Sequence, residues 1–107
     1  MEEPENFEQK MHNLQKMRVA LIILLSQETS KMLSRQQRAG GKALEVMCAE
    51  RDLESAPDDP LNQTALTVAR AEERIACDAV SEIEREIARM NELLARIDTD
   101  ISALCQA

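Results

Sequence analysis

The second half of the chain carries nine apolar residues, Ala76, Val80, Ile83, Ile87, Met90, Leu94, Ile97, Ile101 and Leu104, spaced four and three apart without a miss. An α-helix turns every ~3.6 residues, so this spacing lays all nine along one stripe. Held over four heptads, the stripe is a coiled-coil seam and requires a second helix beside it. Upstream the seam continues more weakly through Leu66, Ala69 and Glu73, while Val68, Ile75 and Ala79 widen the apolar face. A face broader than one stripe is built for more than one neighbour.

The rest of the sequence leaves little room for anything but helices. Strands draw on Val, Ile, Thr and aromatic residues with Gly-rich turns between them, and here there are one Phe, no Tyr, no Trp and two Gly in 107 residues. That length fits one domain. In the first half, Phe7, Met11, Leu14, Arg18, Leu21, Leu25, Glu28, Met32, Arg35, Ala39, Lys42, Val46, Ala49 and Leu53 keep the heptad spacing, with charge at four slots. The segment Ser55-Ala56-Pro57-Asp58-Asp59-Pro60 separates the two patterns. Pro57 disfavours helical geometry at Ala56, while Asp59 followed by Pro60 is a cap followed by a first helical residue. Pro4, among Glu2, Glu3, Glu5 and Glu8, reads in the same way as the start of the first helix.

These signals predict an all-α fold, a long antiparallel helical hairpin of coiled-coil type forming one domain over residues 1–107. Its helices cover about 5–56 and about 60–105, roughly 78 and 69 Å long, around a turn at 57–60. Gly40-Gly41 is a weak point, disfavouring a continuous helix by about 2 kcal/mol. The near-equal lengths of the two helices favour a first helix that kinks there but continues; the competing arrangement breaks at the glycines and returns Lys42 to Glu54 as a third element. A turn centred on Asp58-Asp59 sets Glu28 opposite Arg89 and Arg35 opposite Glu82, pairs that would fix register more than they stabilise.

The segment Val19-Ala20-Leu21-Ile22-Ile23-Leu24-Leu25 is apolar all the way around a helix. A two-helix hairpin covers one side of it, and each large side chain left in water forgoes about 1.5 to 3 kcal/mol of burial. Such a band promotes association. The expected interface therefore comprises Val19, Leu21, Ile22, Ile23, Leu24 and Leu25 with the second-helix seam, Val80, Ile83, Ile87, Met90, Leu94, Ile97, Ile101 and Leu104. The expected partner is a protein or a second copy, a dimer first of all, completing a helical bundle. Met11, Met17, Met32, Met47 and Met90 would give that surface adaptable packing. Ser81, Ala88, Ala95 and Ser102, seven apart on the second helix, are small residues past which another helix can approach, and equally good solvent-facing ones.

Other functions find less support. Twenty acids oppose 13 bases for a net charge of −7, the wrong sign for a nucleic-acid partner. Lys31, Arg35, Arg38 and Lys42 form a short acid-free basic stretch, read as a solvated face or as a stripe that pairs with the acidic second half, with a membrane-surface or RNA patch as the lesser alternative. The longest apolar run, seven residues, is far below the ~20 of a membrane span, and the acidic start is unlike a signal peptide. Three separated cysteines, Cys48, Cys77 and Cys105, fit a reducing, cytoplasmic setting. His12 is the single histidine, and even with Glu8 or Cys105 nearby it falls short of a metal or catalytic set, so no catalytic residue, metal or cofactor is expected.

Two resemblances bear on the alternatives. Arg18 and Arg35, placed in seam slots, resemble the basic side chains that small all-helical enzymes of the chorismate mutase type set inside a bundle to clamp a dicarboxylate, which implies a mutase as a distant alternative. Pro57-Asp58-Asp59-Pro60 between two helices resembles the Pro-x-x-Pro turn of the small helical-hairpin proteins of type III secretion. That likeness covers four residues and the layout, and it implies an export chaperone or structural hairpin subunit. The charged second helix departs from a needle subunit that polymerises. The leading expectation is a non-enzymatic adaptor, assembly or chaperone-like subunit.

Overall fold

A computed structural model of the chain describes residues 6–106. It is an all-α helical hairpin of two helices, α1 (Phe7–Ser55) and α2 (Pro60–Gln106), with no strand among the described residues. The expected start around Pro4 lies outside the described residues. Asn6 caps α1 instead, its Oδ1 accepting the Gln9 amide at 2.8 Å and its carbonyl the Lys10 amide at 3.0 Å. A side-chain oxygen there satisfies one of the amides that the first helical turn leaves without a partner.

At the other end of α1 the breaker chemistry acts as the sequence predicts. The last α-type bond runs from the Ala56 amide to the Asp52 carbonyl at 3.0 Å, and Pro57 follows. Asp59 then restarts the chain: its Oδ1 accepts the Leu61 amide at 2.9 Å, and Pro60 is the first residue of α2. Side-chain amides of α2 reach back across the turn. Asn62 Nδ2 donates to the carbonyls of Asp52 (3.2 Å) and Ala56 (3.4 Å), and Gln63 Nε2 to that of Pro57 (3.1 Å). These bonds satisfy carbonyls that a helix C-terminus leaves open.

Gly40 and Gly41 do not break α1. The helix runs through both, and neither glycine has positive φ. The alternative of a third element is not formed, because Lys42 to Glu54 continue the same helix. About 2 kcal/mol of local glycine cost is outweighed by the seam on either side, which rewards an unbroken rod.

The chain groups into two compact units, each built from a stretch of both helices: Ser30–Glu84 around the turn, and the residues before Ser30 with those after Glu84. In the turn unit Val46, Ala49, Leu66 and Ala69 form a buried cluster with Leu53 packed on it, and Ala76 and Ile83 are buried as well. In the open-end unit Ile97 is buried and the remaining seam residues except Phe7 are half-buried. From Met11 to Leu53 on α1 and from Leu66 to Leu104 on α2, every seam slot is buried or half-buried, charged ones included; Phe7 is exposed.

Arg18, Arg35 and Lys42, in charged slots of α1, are engaged across the hairpin, Arg35 with a partner other than the Glu82 expected. Arg18 pairs with Asp98 at 2.7 Å in the open-end unit. In the turn unit Arg35 donates to the Ala79 carbonyl at 2.9 Å, and Lys42 pairs with Glu72 at 2.9 Å and with Glu45 at 3.3 Å. Arg89 pairs with Glu86 on its own helix at 3.3 Å. The connection Ala56–Asp59 is centred on Pro57-Asp58, one residue earlier than expected, which moves each partner on α2 toward the turn.

Candidate functional site

α1 of the open-end unit presents the apolar band predicted from the sequence. Leu21 and Leu25 occupy seam slots and are half-buried against α2. The others face outward: Val19 is 57% exposed, Ile22 40%, Ile23 52% and Leu24 45%. The heptad pattern explains the division, since only every third and fourth residue can turn toward a single neighbouring helix.

The second-helix residues proposed for the same surface are placed differently. Ile83 and Ile97 are buried in the hairpin's own seam, and Val80, Ile87, Met90, Leu94, Ile101 and Leu104 are half-buried in it. A partner would therefore meet the edges of these residues, with α1 and the flanks of the hairpin supplying most of the contact. Leu93, which the seam pattern does not single out, is the large exposed apolar residue of α2 in this unit.

Leu93 lines one flank of the open-end unit. There an open hollow of about 410 Å³ has a floor of Leu21 and Ile97 and a rim of Met17, Ala20, Leu24, Leu93, Arg96 and Asp100. It meets a second hollow of about 430 Å³ at Asp100, lined by Lys10, Asn13, Leu14, Asp100, Ala103 and Leu104. Sequence reasoning missed this groove because its rim residues recur at seven-residue intervals outside the seam, as with Met17 and Leu24 or Leu93 and Asp100.

The turn unit exposes its own apolar residues. Leu61, Val68 and Ile75, seven apart on α2, are all exposed, so the widening of the α2 face expected from Val68 and Ile75 extends to Leu61. Ile75 borders a hollow of about 320 Å³ with Arg35, Arg38, Ala76, Ala79 and Glu82. The small residues Ser81, Ala88, Ala95 and Ser102 are exposed, as are Met17 and Met47.

His12 and the free thiols of Cys48, Cys77 and Cys105 are exposed. Arg18 and Arg35 each already hold a partner on α2. Hydrogen bonds donated by the Lys42 ammonium, first to Glu72 and then to Glu45, raise its pKa above the ordinary value, as expected for an ammonium between two carboxylates. Among the described residues no group of three or more His, Cys, Asp or Glu could hold a metal ion, and no helix is long and apolar enough to cross a membrane. The chain matches no protein-family model, no curated protein and no solved structure.

Proposed function

We propose that this chain is a non-enzymatic protein–protein interaction subunit, an adaptor, assembly or chaperone-like hairpin that buries an apolar helix face against a partner helix or a second copy. The observation that carries the reading is the exposure of Val19, Ile22, Ile23 and Leu24 on a helix whose seam is already filled. Large aliphatic side chains left in water next to one another are a docking surface in waiting, because covering them returns burial energy that the hairpin alone cannot collect. An amphipathic helix laid along α1 would do so in the helix-in-groove manner. Three free, exposed thiols favour a reducing compartment, and the cytosol is our assignment.

The test is capture of the partner from the native source with the full chain as bait. The I22E/I23E variant, which places two carboxylates in the band and leaves the seam intact, should lose the captured protein. Capture at undiminished yield would refute the surface. A rearrangement activity abolished by changing Arg18 and Arg35 to Ala would overturn the non-enzymatic reading itself.

A further inference from the structure

We infer that the groove on the flank of the open-end unit is a self-complementary contact, and that a second copy of this chain occupies it in reverse orientation. The inference rests on the reading of the chain as an interaction subunit and names the occupant of one particular surface. The two hollows meet at Asp100, so they form one groove with unlike ends. One end bears the protruding side chains of Leu24 and Leu93; the other is walled by Lys10, Asn13 and Ala103, and Asn13 and Ala103 are small. A surface with knobs at one end and space at the other fits a reversed copy of itself.

The register follows from the charges. Arg96 and Asp100 lie one turn apart on the rim, a cation and an anion that form no ion pair among the described residues. A twofold axis crossing α2 midway between them sets Arg96 of each copy against Asp100 of the other. The same axis brings Leu93 of each copy over Ala103 of the other. The Arg18–Asp98 pair puts the midpoint on α2 at the level of Arg18, and the neighbouring Met17 is the groove-lining residue of α1 nearest that level. On α1 the operation therefore stacks Met17 on Met17 and sets Leu24 against Lys10, whose aliphatic stem can cover it. One axis thus satisfies both helices.

Net charge opposes this contact only weakly. Residues 1–29 carry Lys10, Lys16 and Arg18 against five glutamates, and residues 85–107 carry three arginines against four acids, a net −3 within a chain of −7, with Glu2, Glu3 and Glu5 preceding Lys10 in sequence. The area sets the strength. From Lys10 to Leu24 is about 22 Å of helix, and two helices side by side are about 20 Å across, giving about 900 Å² over both copies. That lies just below the ~1,000 Å² of a firm interface, so the dimer is weak and concentration-dependent.

Sedimentation equilibrium of the full chain from about 10 µM to about 1 mM, the range in which a contact of this size forms, reads the result directly. The wild-type chain should pass from monomer to dimer. R96D and D100R should each weaken the dimer by about tenfold or more, because each turns two attractive pairs into two repulsive ones. Recovery is the decisive arm: the R96D/D100R double variant should dimerise like the wild type, and a mixture of the two single variants should form a dimer of one copy of each. Both positions are on the rim, and circular dichroism checks that helicity is kept. A wild-type chain that stays monomeric throughout overturns the dimer, and a dimer indifferent to both single variants overturns this groove as its site. Neither failure touches the broader reading if partner capture still depends on Ile22 and Ile23. Loss of that dependence with the charge-swap pattern intact would leave the dimer standing alone.

Discussion

Replacing Gly40 and Gly41 with alanine should make the hairpin more stable, by an amount set by the local structure. Both glycines lie inside a continuous helix, neither has positive φ, and a Cβ at either position meets nothing within 4 Å. No steric penalty therefore offsets the gain. Alanine is favoured over glycine in a helix interior by about 1 kcal/mol, mainly because glycine loses more freedom on folding, so the pair is worth about 2 kcal/mol. Unfolding entropy of about 2.1 cal/mol/K per residue gives about 0.2 kcal/mol/K for this chain, and the expected rise in Tm is about 9 °C. The assay is thermal unfolding followed by far-ultraviolet circular dichroism, with G40A, G41A and the double variant compared at one protein concentration. The single variants should each contribute about half. A double variant with unchanged or lowered Tm would refute the reasoning, since it would mean that the glycines adopt a conformation in solution that alanine resists.

Two further outcomes follow from the packing and the charges. Ile83 is the most buried apolar residue, 2% exposed, and Ile83→Ala should cost about 2 to 4 kcal/mol in denaturant titration, toward the low side if the two helices close over the gap; a loss under about 1 kcal/mol would contradict its burial. Lys42 contributes through its bonds to Glu72 and Glu45, which raise its folded-state pKa above the unfolded value. That contribution is fully present below the unfolded lysine pKa and is lost as pH rises through the raised folded value, so the wild-type chain should lose stability in that alkaline window relative to Lys42→Met, and parallel curves would count against the pairing.

The heptad pattern made the fold legible because it is a direct record of which residues face a neighbouring helix. Even Arg18, Arg35 and Lys42, charged residues that hydropathy alone would put outside, sit half-buried in the slots their spacing assigns. Partner identity was harder to read. A one-residue change in the centre of the turn is enough to give Lys42 to Glu72 and Arg35 to the Ala79 carbonyl, and backbone carbonyls carry no sequence signal at all. Asn6 escaped notice as a cap because the proline and glutamates before it carry stronger start signals. The band at Val19–Leu25 was visible as a run, whereas the flank groove needed both helices in register before Met17, Leu24, Leu93 and Ala103 came together.

The bonds from Asn62 and Gln63 across the turn bear on how the molecule assembles in time. They join residues six and ten apart, so little loop entropy opposes their formation, and they tie the end of α1 to the start of α2. Contacts between Arg18 and Asp98 span 80 residues and close a far longer loop. A chain with this gradient of sequence separation zips from its turn, and amide hydrogen exchange should be slowest around the Val46–Leu66 cluster and fastest toward Phe7 and Gln106. On the function proposed above, the docking surface lies in the part of the hairpin that forms last and opens first, and a partner bound there would also act as the clasp.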